Sequence, residues 1–418
     1  MAENLLRKTW SNLDSHELRL LLDKRIGGAG QFDSRDANPR RLYRPLAGES
    51  CRVAITFRQR DKKIIAVERG PAFDAAEWKK IAEEIENAIL AGLPKVGRDF
   101  SFSSLPVPGS WCGSRSGVQI LPPAPGTPSA HAAYPFVLEF PIDGAPDDLL
   151  LITYHRRRRE HRRLTLLLNA LLRPRISFES GRSEHFWAHI PAAEGTDGNG
   201  ESRRLQRFFY APLDPIVTNA LSAPAAEKLA EIQPEKYYFR HDYGMALRIP
   251  ADLDDSLCRY RELSEENRSK FDRAAFWFDL ASRQWTISVS ASFASLVSAI
   301  ESLTDRGSTH LVFCEQCKAS QSHDAPGAAK SFQSFLETHA PGASLSDRRN
   351  KMYHLRSRIL HGNYLMQMDQ TLDVGLNPAE YDEWELQSEF WSITGLALRN
   401  WLRACEDRIE PPSSSQHS

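Results

Sequence analysis

Residues 351–364 read KMYHLRSRILHGNY, and this segment decides how the C-terminal half of the chain is interpreted. Its apolar residues recur at intervals of three or four positions, which predicts a helix with one buried face. The residues on that face are Met352, Leu355 and Ile359. Gly362 is typical of the position just after a helix ends, so the helix is predicted to stop close to His361.

The segments around 351–364 have the same helical periodicity. Helices are predicted over 257–282, 287–304, 329–338, 346–361 and 378–408. An all-α domain is therefore predicted over residues 251–410, and the polar residues 411–418 are predicted to form a disordered tail.

Residues 1–250 have a different pattern, which predicts a mixed α/β region. The predicted elements are a helix over 1–25, two strands within 52–69, a helix over 73–93, a strand over 149–154 and a helix over 160–172. Residues 105–135 are rich in Pro, Gly and Ser and are predicted to be a long loop. The predicted fold class is thus α+β, with a mixed α/β N-terminal half followed by an all-α C-terminal bundle.

The composition narrows the class of protein. The chain has 418 residues, of which 41% are hydrophobic, enough for at least one sizeable core. Its 53 basic and 54 acidic residues give no overall basic excess, so any nucleic-acid binding must come from local patches. The apolar runs are far shorter than the ~20 residues of a membrane span, and the six cysteines are sparse. We therefore expect a cytoplasmic protein with reduced thiols, no membrane association and no secretory signal.

Several pieces of the C-terminal half occur in a recognisable order. They are FDRAAFWF at 271–278, LVSAIESL at 296–303, CEQC at 314–317, FQSFL at 332–336 and YHLRSRILHG at 353–362, followed by a final long helix. This order resembles the HEPN superfamily of α-helical ribonucleases and RNA-binding domains, and specifically its Apea-like branch. The resemblance covers about residues 252–408.

The resemblance implies a helical bundle that forms a homodimer or a larger homo-oligomer. Two Arg-x4-6-His motifs would meet in a shared cleft that cuts RNA without a metal ion or other cofactor. By this resemblance Arg356 and His361 are the catalytic pair. Second-shell or RNA-contact candidates are Ser357, Arg358, His354 and Asn363.

The function implied by the resemblance is that of a metal-independent endoribonuclease, a hydrolase acting as effector in a prokaryotic toxin-like or antiviral defence system. Residues 1–250 would then sense or regulate in response to an unknown activator. The alternative is a non-catalytic HEPN module for dimerisation or RNA binding, with the N-terminal half binding a specific partner.

The chemistry of RNA cleavage fits these residue types. Attack by the ribose 2′-hydroxyl needs a group that accepts its proton and a group that donates one to the leaving 5′-oxygen. Histidine titrates near neutral pH and can do either, while the planar arginine fork binds phosphate oxygens. The Arg-x4-His spacing alone selects nothing, because the chain contains three such pairs: Arg156 with His161, Arg349 with His354, and Arg356 with His361.

Two further candidate sites remain open at this stage. Residues 155–163 read HRRRREHRR, and Arg156, Arg157, Arg158 and Arg159 form a possible patch for RNA phosphates or a nucleotide-like signal. The alternative is a solvated corner between a strand and a helix. Cys314 and Cys317 are half of a structural zinc site, and the alternative is a pair of reduced cysteines.

Overall fold

The fold was analysed in a computed structural model. The structure describes residues 3–4, 14–27, 31–33, 40–43, 53–59, 64–70, 73–85, 87, 92–125, 134–178, 187–190, 203–206, 217–239, 245–304, 310–313, 320–323, 327–342, 346–370 and 378–405.

The chain divides into two compact units, which are described separately below. Unit 1 comprises Met1–Asp99, Glu139–His161 and Leu213–Ser222, and unit 2 comprises Phe100–Leu138, Arg162–Pro212 and Ala223–Ser418. This division does not follow the predicted boundary near residue 250, because the C-terminal helices belong to a unit that also includes earlier segments.

The helices are α1 (Ser15–Leu22), α2 (Ala75–Glu84), α3 (Leu150–Leu171), α4 (Pro234–Phe239), α5 (Leu253–Glu262), α6 (Glu265–Gln284), α7 (Val289–Glu301), α8 (Ala328–His339), α9 (Ser346–Leu360), α10 (Gln367–Gln370) and α11 (Pro378–Ala404). The strands are β1 (Glu3–Asn4), β2 (Gln31–Asp33), β3 (Arg40–Tyr43), β4 (Val53–Phe57), β5 (Ile64–Arg69), β6 (Leu93–Ser103), β7 (Trp111–Cys112), β8 (Gln119–Leu121), β9 (Tyr134–Gly144), β10 (Ile176–Phe178), β11 (Trp187–Ile190), β12 (Arg203–Gln206), β13 (Val217–Thr218), β14 (Glu231–Ile232), β15 (Ile249–Pro250), β16 (His310–Phe313) and β17 (Ser320–His323). The mixture of helices and antiparallel sheets confirms an α+β fold.

Unit 1 is built on an antiparallel sheet with strand order β1-β5-β4-β3-β2. The two strands predicted within 52–69 are confirmed as β4 and β5, which pair with Ile55 opposite Val67. Leucines of α1 and Trp78 and Ile81 of α2 join these strands in one buried core. The helix predicted over 1–25 is confirmed from Ser15 onward as α1, which Asp14 caps by accepting from the backbone N–H of His16 at 2.7 Å. Glu3–Asn4 form β1 instead, and residues 5–13 lie outside the described residues.

The strand predicted over 149–154 is wrong, because these residues begin the long helix α3. A short apolar run does not distinguish a strand from a buried helical segment, and here the buried leucines recur at helical spacing. Leu164, Leu167, Leu168 and Leu171 are all buried. The basic run 155–163 therefore lies inside α3 and not at a corner.

A buried ion pair ties α3 to α1 within unit 1. The guanidinium of Arg156 donates from Nε and Nη2 to Glu17 Oε2, at 3.0 and 2.7 Å, and from Nη1 to the carbonyl of Asp143 at 2.9 Å. Both charged side chains are almost fully enclosed. A buried pair of this kind makes its partners depend on each other, since removing one leaves the other charge buried and unpaired.

Substitution Glu17→Gln is therefore expected to lower the free energy of unfolding by about 3 kcal/mol. Hydrogen–deuterium exchange should be faster in α1, where the contact is lost. The matched control is Glu266→Gln, which neutralises a carboxylate that is 79% exposed and paired with Lys270, and which should change stability by less than ~1 kcal/mol. Equal effects of the two substitutions would contradict the structural role of the Glu17 pair.

His161 lies in the interior of unit 1 as a neutral side chain. Its ring stacks on Phe140 with centroids 5.9 Å apart, and Nδ1 lies 3.3 Å from a carboxylate oxygen of Asp99. Burial lowers the pKa of His161, and the charge of Arg157 adds to the effect, while Asp99 opposes it. The contact with Asp99 is thus made by an imidazole that is neutral near pH 7.

Stability should consequently fall as the pH falls. The unfolded chain takes up a proton on this imidazole near pH 6.5, its ordinary value, whereas the folded chain does so only at lower pH. Between these values the unfolded state binds more protons, so stability is lost on acidification by up to ~1.4 kcal/mol per pH unit. Urea unfolding at pH 7 and pH 5 should show a smaller loss for His161→Leu than for the wild type; identical losses would contradict this assignment.

A second sheet has the order β10-β6-β9-β8-β7, and β10 pairs antiparallel with residues 101–103 of β6, which belong to unit 2. The loop predicted over 105–135 is wrong for residues 111–121, because β7 and β8 pair there. The turn between them is held by Asp254 of α5, which accepts from the backbone N–H groups of Arg115 and Ser116 at 3.0 and 2.9 Å. Residues 126–133 of the predicted loop lie outside the described residues.

The C-terminal helices follow the sequence-based prediction closely. The helix predicted over 257–282 is instead two helices, α5 and α6, because Leu263 is extended and Ser264 caps α6 by accepting from the N–H of Asn267 at 3.3 Å. The hairpin β16–β17 departs from the all-α prediction. Within the described ranges, no helix combines the length and hydropathy of a membrane span.

Aromatic side chains connect four of these helices. Phe293 of α7 lies 4.9 Å from Phe390 of α11, and Phe390 lies 6.0 Å from Phe332 of α8. Phe332 in turn lies 5.4 Å from Tyr353 of α9. The three phenylalanines are fully buried, so this aromatic series fixes how α9 packs on its neighbours.

Candidate functional site

The candidate site is the solvent-facing side of α9 and the turn that follows it. Met352 and Leu355 are buried and Ile359 is half-buried, as predicted for the core face. The exposed polar residues are Lys351, His354, Arg358, His361 and Asn363. Basic and titratable side chains thus share one surface, while Ser357 beside them is half-buried.

The end of α9 has the geometry predicted from Gly362. This glycine has a φ of +71°, and its N–H donates to the carbonyl of Ile359 at 3.0 Å, while Asn363 N–H donates to Arg358 at 2.9 Å. These two bonds form a Schellman motif, which ends the helix immediately after Leu360. His361 is therefore the capping residue, with its side chain exposed at the carbonyl end of α9.

Arg356 occupies a different side of α9 from the exposed surface. Its Nη2 donates to Glu301 Oε2 at 2.9 Å, and its guanidinium lies 5.8 Å from the centre of the Tyr353 ring. Glu301 is the last residue of α7, so the pair links the two helices. Arg356 is 21% exposed, which leaves part of the guanidinium accessible to a ligand.

Side-chain contacts with α9, α11 and α7 hold the segment that follows His361 in place. The ring of Tyr364 lies under the Arg358 guanidinium at 4.1 Å, and its hydroxyl donates to Glu383 of α11; this bond and burial raise the pKa of Tyr364. Asp369 accepts from the backbone N–H groups of Val289 and Ser290 at 2.7 and 2.8 Å, at the N-terminus of α7. These contacts restrain the position of His361 from the C-terminal side.

The structure distinguishes between the three Arg-x4-His pairs. Their spacing in the sequence could not do so. Arg156 and His161 are buried in unit 1. Arg349 is 3% exposed and donates to the carbonyl of Ala340, so it holds α9 in place. The Arg356–His361 pair combines a partly accessible arginine with an exposed histidine, and it is the pair with the best access to a large substrate such as RNA.

The proposed phosphate patch is not one surface. Arg156 and Arg157 point inward, to Glu17 and to Asp99. Arg158 and Arg159 are exposed, and Arg159 Nη1 lies 2.7 Å from Asp14 Oδ2. Arg158 and Arg159 are accessible to a phosphate, but Arg156 and Arg157 are already engaged with carboxylates.

A cluster with metal-ligand atoms lies beside this helix in unit 1. Asp14, Glu17 and His155 offer ligand atoms that all lie within 4.8 Å of one another. Two arginines already contact the carboxylates: Arg156 binds Glu17, and Arg159 lies 3.2 Å from the second oxygen of Glu17. That second oxygen makes only this charge contact and no well-directed hydrogen bond.

The charged groups around Asp14 form an ion-pair network. Burial raises the pKa of Asp14, but hydrogen bonds from His155 and the His16 N–H and the charge of Arg159 outweigh burial, so the pKa lies well below its usual range. Asp14 is thus ionised, and the guanidinium groups of Arg159 and Arg156 lie beside Asp14 and Glu17. A divalent cation would have to displace Arg159.

The possible zinc ligands Cys314 and Cys317 lie outside the described residues. The structure does describe the backbone of the hairpin on either side of them, in which His310 pairs with His323. These two positions are at the open end of the hairpin.

In comparisons with known proteins, no family model, curated protein or solved structure matches this chain.

Sequence reasoning missed the partners of the site residues. Glu301 lies 55 positions before Arg356, and Glu383 lies 19 positions after Tyr364. No local pattern marks either contact, because helical periodicity identifies which face of a helix is buried but not which neighbouring helix covers it.

Proposed function

We propose that this protein is a metal-independent endoribonuclease whose active site is the exposed end of α9, shared between two copies of the chain. The observation that carries the proposal is the position of His361. It is an exposed histidine at the end of a helix, next to Arg358 and close in sequence to Arg356.

Two exposed leucines support an active site that is shared between two copies of the chain. Leu360 and Leu365 lie on either side of His361 in the sequence and are each 53% exposed. Tyr381 and Trp384, near the start of α11, are also exposed and their rings are 6.0 Å apart. Exposed apolar groups around a polar centre are typical of a subunit interface, and a second copy of α9 would bring a second Arg356 and His361 to it.

The residues supply each function that the reaction needs. His361 would exchange protons with the 2′-hydroxyl or the leaving 5′-oxygen. Arg356 would bind the scissile phosphate through its planar fork and stabilise the charge of the transition state. Lys351, His354, Arg358 and Asn363 would contact the RNA backbone on the same surface, and Ser357 would act behind them.

We place this activity in a cytoplasmic effector of a toxin-like or antiviral defence system, in which RNA cutting stops growth. Residues 1–250 would receive the activating signal. This biological role rests on the HEPN resemblance.

One contact favours the alternative, a non-catalytic module for RNA binding or dimerisation. The charge of Arg356 is already balanced by Glu301 at 2.9 Å, and a guanidinium with a carboxylate partner stabilises an anionic transition state less than an unpaired one. In that case the N-terminal half would do the specific work by binding a partner.

The test is incubation of the purified full-length protein with total cellular RNA in EDTA. The wild type should cut the RNA, and His361→Ala should reduce the rate by about 100-fold or more, since a general acid or base contributes ~10²–10⁴. Because His361 is exposed, its removal should leave the fold intact, which circular dichroism checks.

The matched control is Lys351→Ala, which removes an exposed charge from the same surface but no proton-transferring group. It should raise KM several-fold and leave kcat nearly unchanged. Equal cutting by the wild type and His361→Ala, or RNA binding without cutting, would contradict the proposed enzyme and favour the module.

A further inference from the structure

Unit 2 contains a cleft that is separate from the candidate site on α9. It is lined by residues of the end of α3 and the turn after it, and by residues of α4, α6 and α11, and its volume is about 150 Å³. We call it the Arg399 cleft, and its defining residues are Arg173, Arg175, Tyr238, Asp279, Trp391 and Arg399.

The cleft holds an arginine whose charge no carboxylate balances. The guanidinium of Arg399 lies 3.7 Å from the centre of the Tyr238 ring, and within the described part of the chain no acidic side chain contacts it. Burial lowers the pKa of Arg399 to about 10, and its electrostatic neighbours are Tyr238, Tyr237 and Arg173. Its Nε is buried without a hydrogen-bond acceptor. Arg156, Arg157, Arg349 and Arg356, by contrast, each have an acidic or carbonyl partner.

The carboxylate in the cleft does not neutralise this charge. Asp279 accepts from the side-chain amide of Asn169 at 2.8 Å and from Arg283 Nε at 2.8 Å, so its charge is already paired with Arg283. The cleft is lined by three arginines and one carboxylate. The electrostatic potential in the cleft is therefore positive.

The shape of the cleft is maintained by packing. Tyr238 donates its hydroxyl hydrogen to the carbonyl of Leu171 at 2.8 Å, which fixes the ring beneath Arg399. Gly395 lies one helical turn before Arg399, and a Cβ there would come within 3.2 Å of Arg399 Nη1 and 3.3 Å of the Phe278 ring. The absence of a side chain at this position leaves room for the guanidinium beside the aromatic wall of Phe278 and Trp391.

We propose that the Arg399 cleft binds a small phosphorylated ligand, with Arg399 as its main anion contact. A phosphate group would accept hydrogen bonds from the guanidinium fork and supply the missing negative charge. Arg173 and Arg175 would add attraction at longer range. Trp391 and Phe278, whose rings are 4.6 Å apart, provide an apolar wall against which a nucleotide base could pack.

The test uses the full-length protein and isothermal titration calorimetry with AMP, inorganic phosphate and adenosine. AMP should bind saturably, phosphate more weakly, and adenosine at least about tenfold more weakly than AMP, because it lacks the anion. Arg399→Met should weaken AMP binding by about tenfold or more. Arg273→Met, which removes an exposed arginine of α6 outside the cleft, should bind AMP like the wild type.

A second pair of variants distinguishes anion binding by Arg399 from a purely structural role, in which Arg399 only supports the Tyr238 ring. Ser392 lines the cleft and is exposed, so Ser392→Glu and Ser392→Gln should both fold. They have similar shapes and differ in charge, and the glutamate should weaken AMP binding by about fivefold relative to the glutamine. Equal affinities in these two variants, equal binding of adenosine and AMP, or no saturable binding of AMP and phosphate would each overturn the proposal.

Discussion

The aromatic series from Phe293 through Phe390 and Phe332 to Tyr353 is the contact on which the candidate site depends. It joins four helices, and it sets the rotation of α9 about its own axis. That rotation decides which side chains reach solvent. With Met352 and Leu355 turned inward, His354, Arg358 and His361 must face outward.

Charge partners explain why the many arginines of this chain do not form one nucleic-acid surface. Arg156 and Arg157 have carboxylate partners in unit 1, and Arg356 has Glu301 in unit 2. A basic run in the sequence is therefore a poor guide to a basic patch in the fold. Arg399 is the informative contrast: its neighbours in the sequence are mostly apolar, yet its buried charge is left without an acidic partner in the described residues.

Sequence-based prediction was most accurate where a single local pattern determines the secondary structure. The helix over 346–361 and its end at Gly362 followed from periodicity and from a glycine with positive φ. The strand over 149–154 failed because a short apolar run fits two structures. The division of the chain, the Glu301 partner and the Arg399 cleft arise from contacts between distant segments, which local patterns do not encode.

The central claim is that protein side chains of α9 promote attack by the ribose 2′-hydroxyl. The most direct measurement is therefore the chemical identity of the RNA ends after cutting in EDTA by the full-length protein. The account predicts 2′,3′-cyclic phosphate and 5′-hydroxyl ends, because the 2′-oxygen forms the new bond to phosphorus as the 5′-oxygen leaves. Ends with 3′-hydroxyl and 5′-phosphate groups, or cutting that occurs only when a divalent metal ion is added, would contradict it.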